Sequence, residues 1–384
     1  MVMVNNYFNP NIDGSFASRV SELKAFINQL LNNQANARDD LSLSMQQVFG
    51  FPDEMNQRII QRVFENYLKT PIGDICQKLE KNPYWNAKTR IGIILPGNVP
   101  DPLFESVLLA WLNGSELSLK LSRKTQKFDK AFLRILQTLN KNQFNRIRTT
   151  ALPEDFIKRS HTFDSCIAYG SDETMQQISS TLGGKLSLDC RGHRLSIVIL
   201  SPIDIKDGVE VANLIARDTW LYDQRGCLSP QIVFMPANMD FIAELIKKAM
   251  DAINREHPMS KRPYELQIER NIVIQRLQAQ SMNQREVRVI GDKSDLAQPW
   301  AYQLEQGRMV HAHSGQIIAL RQYETMDDIR KTVSLMRDYI HCIGLNGLGL
   351  DKPMDYYAQA LRLKSLRRLC PIGQMQSPPI GWDL

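Results

Sequence analysis

Residues 90–121 read RIGIILPGNVPDPLFESVLLAWLNGSELSLKL. Residues 90–95 are a short apolar run closed by Pro-Gly, 102–112 have the texture of a helix, and 116–121 are apolar again. A strand, a helix and a second strand in so short a span predict a β-α-β unit, because parallel strands need a crossover connection between them. The rhythm continues outward, with a helix over 128–139, a strand over 164–169 and a helix over 173–180. It resumes with strands over 196–200 and 232–235, helices over 209–219 and 239–253, strands near 287–290 and 317–320, and a helix over 326–339. Upstream, residues 14–90 are mainly amphipathic helix: Val20, Leu23, Phe26, Ile27, Leu30 and Leu31 recur at helical spacing, as do Ile59, Ile60, Val63 and Phe64. Residues 255–285, with Pro258 and Pro263, show no decisive period. The prediction is an α/β protein with two Rossmann-like lobes, an N-terminal helical segment, and a cleft between the lobes where ligands are preferred.

The bulk numbers exclude several classes. A chain of 384 residues with 43% hydrophobic and 23% charged content has room for two cored domains. Its net charge of +6, from 47 basic and 41 acidic residues, is too diffuse for a nucleic-acid surface. The six cysteines have no C-x-x-C spacing, so reduced thiols in a cytoplasmic protein are expected. Residues 1–13 lack a signal-peptide pattern, and no apolar run approaches the ~20 residues of a membrane span.

Four turns carry chemistry. Tyr222-Asp223-Gln224-Arg225-Gly226-Cys227-Leu228-Ser229-Pro230-Gln231 sets one cysteine in a Gly-containing turn before an apolar run, where it is either a nucleophile or a small packed hydrophobe. Leu95-Pro96-Gly97-Asn98-Val99-Pro100 holds an amide on a stiff turn, suited to an oxyanion or simply to turning the chain. Lys120, Ser122, Arg123 and Lys124 cluster at a strand's carboxyl end, where open α/β sheets bind ligands, or form a solvated loop. Gly170 and Ser171 begin a helix, as a phosphate seat or an ordinary cap. No G-x-G-x-x-G fingerprint follows a strand, and His311 and His313 have no partner at ligand spacing, so no metal is expected. His193 and His341 flank apolar strands and are expected to be packed or hydrogen-bonded.

Taken in chain order, these turns resemble the aldehyde dehydrogenase superfamily: the oxyanion Asn turn, the ribose-binding Lys strand, the Gly-Ser helix start and the nucleophile loop, with Pro371-Ile372-Gly373 similar to a late Pro-Phe-Gly turn. Within it, Gly97-Asn98-Val99-Pro100, Tyr169-Gly170-Ser171-Asp172-Glu173-Thr174 and Asp223–Gln231 resemble the LuxC-type acyl-CoA reductases over about 90–384, though this chain is shorter than the bioluminescence members. The resemblance implies an acyl-thioester reductase with Cys227 as nucleophile and Asn98 as oxyanion donor. It implies that Lys120, Ser122 and Arg123 hold the adenosine end of the cofactor and Gly170 and Ser171 its pyrophosphate. Arg123 and Lys124 stand where NAD-preferring relatives carry an acidic residue, so NADPH is expected.

Where hydrolytic relatives carry a Glu for water activation, this chain has Asp189-Cys190-Arg191-Gly192-His193, which favours aldehyde release over acid. The implied organisation is an N-terminal helical segment over 1–90, an NADP-binding domain over 91–192, a catalytic domain over 193–350, and a segment over 351–384 returning to the cofactor lobe. The implied partners are acyl-CoA or an acyl carrier, an acyl-activating enzyme, and further copies of the chain. Alternatives are an NAD(P)-dependent aldehyde dehydrogenase forming an acid, and a non-catalytic acyl-accepting subunit.

Overall fold

The computed structural model describes residues 16–86, 89–184, 186–236, 239, 241–259, 262, 266–268, 270–273, 275, 287–290, 300–304 and 315–384. They form two compact units. One holds the described residues up to Phe49, Asn56–His193 and Pro379–Leu384; the other holds Gly50–Met55 and Arg194–Pro378.

The first unit begins with helices α1 (Phe16–Leu31), α2 (Ala37–Phe49), α3 (Asp53–Lys69, entering the unit at Asn56) and α4 (Ile72–Lys81). The expected apolar stripe of α1 is realised, with Leu23, Phe26, Ile27 and Leu30 all buried. Strands β1 (Arg90–Ile94), β2 (Glu116–Lys120), β3 (Ile147–Thr150), β4 (Ser165–Tyr169) and β5 (Ser187–Arg191) pair in the order β3-β2-β1-β4-β5, and every pair is parallel. Their crossovers include α5 (Asp101–Asn113), α6 (Gln126–Leu139), the short α7 (Lys141–Phe144) and α8 (Pro153–Arg159); α9 (Asp172–Leu182) follows β4. An aromatic cluster welds the helices: Phe26 lies 5.5 Å from Trp111, Phe64 5.2 Å from Phe104, Phe104 5.0 Å from Phe132, and Phe49 5.2 Å from Phe128. Such pairs add about 0.5–1.5 kcal/mol each beyond the area they bury.

The second unit carries β6 (Leu195–Ile199), β7 (Pro230–Pro236), β8 (Val287–Ile290), β9 (Trp300–Leu304), β10 (Ile317–Tyr323), β11 (Ile340–Leu345) and β12 (Arg368–Pro371), in the order β12-β11-β6-β7-β10-β9-β8. All its pairings are parallel except the antiparallel β8–β9 pair at one edge. Alternation along β6 sorts the sheet's two faces: Leu195, Ile197 and Ile199 enter one core with Ile329, Val333 and Tyr357. Helices α10 (Ile205–Trp220) and α11 (Phe241–Glu256) pack on each other, with Ile246, Ala249 and Met250 buried.

The helix expected over 326–339 ends early, at Val333. Turns closed by Met336 N–H to Val333 O and Tyr339 N–H to Met336 O then deliver the chain to β11, whose six residues are all buried. These turns lead directly into Ile340–Leu345, which is buried between β6 and β12. Among the described residues no helix is long and apolar enough to cross a membrane.

Candidate active site

In the first unit the chain runs β1, β2, β3 toward one edge and then returns to β4 and β5 on the other side of β1. The strand order therefore reverses between β1 and β4, and ligands of open α/β sheets bind outside the carboxyl ends at such a point. Ile94 pairs with Lys120 on one side and with Ala168 on the other, so the turns carrying Asn98, Lys120 and Gly170 leave neighbouring strands at one end.

Leu95 N–H donates to Lys120 O at 3.1 Å, which holds the Asn98 turn beside the Lys120 loop. The two turns approach closely there: a Cβ on Gly97 would sit 2.6 Å from Ser122 Oγ and 3.3 Å from Lys124 Cβ. Asn98 and Arg123 are exposed, and Lys120 is half-buried. Burial, reinforced by the Arg123 guanidinium, holds the Lys120 ammonium below the usual lysine range. Ser171 caps α9, accepting from Thr174 N–H at 3.3 Å, while Gly170 N–H donates to Arg191 O. Asp172 Oδ1 accepts from His193 N–H at 2.9 Å, which fixes the link out of β5.

Asp189 is committed elsewhere. Arg191 Nε donates to its Oδ2 at 2.8 Å, and the same guanidinium reaches Tyr169 Oη at 3.1 Å and Asp383 Oδ2 at 3.3 Å. These anionic and phenolic neighbours overcome the cost of burying Arg191 and raise its pKa.

In the second unit Cys227 is exposed on a turn closed by Ser229 N–H donating to Gly226 O at 3.1 Å, immediately before β7. The turn stands at the amino end of the sheet. Pro230, Ser196, Cys342 and Arg368 form one register row there, across β7, β6, β11 and β12. Ser196, wholly buried, donates its hydroxyl to Cys227 O at 2.6 Å.

The approach to Cys227 is left-handed over three successive residues, Tyr222 (φ 61°), Asp223 (φ 52°) and Gln224 (φ 59°). None is glycine, so the bend costs roughly 1–2 kcal/mol per residue. Side-chain bonds hold it. Gln224 bridges the starts of β7 and β10, donating to Pro230 O and Ile317 O and accepting from Ile317 N–H, all at 2.7–2.8 Å. Asp223 is fully buried and accepts from Arg262 at 2.8 Å through both oxygens, from Gln316 at 3.0 Å and from Arg225 at 3.3 Å. Burial alone would raise its pKa, but the two guanidiniums and the Gln316 amide hold the carboxyl below its ordinary value. Arg225 in turn lies 4.7 Å over the Phe51 ring.

The first unit therefore brings Asn98, Lys120, Ser122, Arg123, Gly170 and Ser171 to one end of a sheet, and Cys227 belongs to the second unit. The supports of the Cys227 turn (Ser196, Asp223, Gln224) carry no spacing signal; only the Asp223–Gln224 pair lies inside the motif itself. His341 is buried and hydrogen-bonded to Arg194 at 3.1 Å, and His193 is exposed with its backbone N–H bonded to Asp172. His311 and His313 lie outside the described residues. Among the described residues no group of three or more His, Cys, Asp and Glu side chains could hold a metal ion.

This fold is that of the aldehyde dehydrogenases. The NAD-dependent benzaldehyde dehydrogenase of Corynebacterium glutamicum superposes with a TM-score of 0.68 at 12% identity, covering 96% of this chain and 84% of that one. An oxidoreductase from Marinobacter aquaeolei gives 0.70 at 11% identity, covering 94% and 79%. The Mycobacterium tuberculosis aldehyde dehydrogenase complexed with NAD+ gives 0.67 at 13% identity, covering 94% and 78%. At such identities the likeness shows the fold alone. No curated protein sequence matches this one. The family model Acyl-CoA reductase (LuxC) matches residues 53–383, and the chain belongs to that family. Membership makes it an oxidoreductase whose family activity is acyl-CoA reduction.

Proposed function

We propose that this protein reduces an acyl thioester to an aldehyde with NADPH, the acyl group being carried on Cys227. The observation that carries the reading is an exposed cysteine on a strained, side-chain-braced turn, in a chain matched by the acyl-CoA reductase model over 53–383. The Cys227 thiolate adds to the thioester carbonyl, and the Asn98 side-chain N–H and the Cys227 backbone N–H stabilise the oxyanion. The bond to the donor sulfur then breaks, the donor thiolate takes a proton, and the acyl group stays on Cys227. NADPH, when bound, supplies the hydride that brings the acyl group to the aldehyde level. Release of the aldehyde restores the Cys227 thiolate.

The donor set at the carboxyl end of β1, β2 and β4 fits a phosphorylated dinucleotide. Lys120 and Arg123 supply cations, Ser122 and Ser171 hydroxyls, and Gly170 a close backbone beside α9. Lys120, Ser122 and Arg123 would hold the adenosine end, with Arg123 on a 2′-phosphate, and Gly170 and Ser171 the pyrophosphate. The structural neighbours described with NAD support a nicotinamide cofactor. The first unit is thus proposed as the cofactor-binding domain and the second as the catalytic one. A cytoplasmic setting, a homo-oligomer and an acyl-activating partner belong to the same reading.

Asp189 supports aldehyde over acid as the product. Deacylation by water needs a free base, and this carboxylate is ion-paired to Arg191. The test is NADPH oxidation with a panel of acyl-CoA thioesters, product analysis, and mass spectrometry of the Cys227 peptide. An aldehyde and an acylated Cys227 are expected. A carboxylic acid product points to the dehydrogenase alternative, absent NADPH binding to the non-catalytic subunit, and turnover by Cys227→Ala would sink the covalent scheme.

A further inference from the structure

The nucleophile turn is held from behind by a loop that comes from the far end of the chain. After β12, residues 371–377 fold back over the sheet face that carries Ser196, Cys342 and Arg368. Met375 presses its sulfur against Gly344, where a Cβ would lie 2.5 Å from that sulfur. Arg368 fastens the loop by donating to the carbonyls of Gln374, Met375 and Ser377. On its other side Asp218 of α10, 2% exposed, accepts from Gly373 N–H at 2.6 Å and from Met375 N–H at 3.4 Å.

The loop's one inward amide is Gln376, 3% exposed, whose Nε2 donates to Ser229 Oγ and to Asp218 O at 3.1 Å. Its Oε1 lies 3.3 Å from where a Cβ on Gly226 would stand. Gly226 and Ser229 are the two residues whose hydrogen bond closes the Cys227 turn, so Gln376 is bonded to one end of that turn and stands beside the other.

We infer that Gln376 is a positioning residue for Cys227: fastened through Asp218 and Arg368, it fixes the Gly226–Ser229 turn and with it the direction of the thiol. The inference rests on Cys227 being the nucleophile. Ser196 holds the turn at the carbonyl of Cys227, and Gln376 holds it at Ser229, so both supports act on the backbone that carries the exposed cysteine. Removing the Gln376 amide loosens the turn without opening the apolar core, because the contacts of that amide are polar.

The experiment uses the full chain and three variants: Gln376→Met, which keeps the volume and removes the amide, Ser229→Ala, which removes its acceptor, and the double variant. Three quantities are read: the rate constant for iodoacetamide alkylation of the Cys227 peptide, kcat and KM with the best acyl-CoA, and the melting temperature. Misaiming a reacting group by about 1 Å costs up to roughly 100-fold. Each single variant is expected to slow alkylation and kcat together by about tenfold, with KM within about twofold of wild type. The double variant is expected to lose no more than either single one, because the pair acts as a unit.

A lower melting temperature with wild-type alkylation and kcat would reduce Gln376 to a structural role and overturn the inference, as would additive losses in the double variant. If Gln376→Met does not fold, Ser229→Ala decides by the same criteria. A wild-type chain that oxidises no NADPH with any thioester defeats the functional reading, while the alkylation comparison still tests the positioning.

Discussion

In the first unit the turns bearing Asn98, Lys120 and Ser171 leave the carboxyl ends of β1, β2 and β4, whereas in the second the Cys227 turn enters β7 from its amino end. The two sheets have similar all-parallel centres and order reversals, yet only the first uses its reversal for the candidate ligand turns. In the second, the reversal falls between β6 and β11, where Ser201 N–H donates to Asn346 Oδ1 at 2.7 Å and ties the two strand exits together. The difference is physical. A strand exit facing a helix start offers free N–H groups and small residues that bind anions passively. A nucleophile, the role proposed for Cys227, must instead be aimed, and the turn before it is a left-handed backbone braced by buried side chains.

Separating the two roles gives the largest expected effect. Cys227→Ala should lower acyl-CoA-dependent NADPH oxidation by roughly 10⁴-fold or more, while NADPH binding, followed by fluorescence titration, stays at the wild-type value. Loss of both together would mean that the units do not divide the work. Next comes Asn98→Ala, expected to lower kcat by about 10²–10³-fold with unchanged cofactor affinity. An equal rise in the KM for NADPH would instead make Asn98 part of the cofactor seat.

The third prediction uses two buried carboxyls with opposite shifts. Asp129 of α6, 2% exposed with Thr125 Oγ1 at 3.1 Å, is pushed up by burial from 3.8 to about 7. Its folded form therefore prefers the proton, and the cost of the charge is fully present above about pH 7 and fades as pH falls toward its ordinary value near 4. Asp129→Asn should raise stability by about 2 kcal/mol at pH 8 in urea titrations, and by almost nothing near pH 4. Asp223 behaves in the opposite sense. Its stabilisation is present above its ordinary value near 4 and is lost as acid protonates it below that, so Asp223→Asn should cost stability at pH 8. Equal pH profiles for the two variants would erase the contrast between a lone carboxyl and an ion-paired one.

The smallest effect is on cofactor choice. Arg123→Glu should raise the KM for NADPH by about tenfold and leave kcat unchanged, because it reverses the charge meeting the 2′-phosphate. An unchanged ratio of NADPH to NADH efficiency would remove Arg123 from the adenosine site.

Much of the architecture was legible because central strands and crossover helices carry their own periodicity. β1, β2 and β4 and helices α5, α6 and α9 fall within a few residues of where apolar runs placed them. Of the strands that escaped, β3, β5 and β12 are edge strands, while β9 lies inside the second sheet. Ile-Arg-Thr-Thr and Ser-Leu-Asp-Cys-Arg pair through backbone groups with little apolar face to announce them. The candidate site divided in the same way. Asn98, Lys120, Ser171 and Cys227 sit in turns with Gly, Pro or Ser signatures, whereas Gln376, Asp218 and Ser196 are polar residues in unremarkable surroundings.

What could be read from the chain was therefore local: the β-α-β rhythm, the four turns, and a likeness to acyl-CoA reductases that the family match over 53–383 established. Those features are written in contiguous residues, because hydrophobic period and turn chemistry act over a few positions. What needed the folded chain was which groups meet across long separations. Gln376 reaches Ser229 from 147 residues away, and Gln224 reaches Ile317 from 93. Sheet order decides such meetings. Neither partner carries a sequence mark of the other, because a hydrogen bond between two buried polar groups constrains their positions in space and leaves their spacing along the chain free.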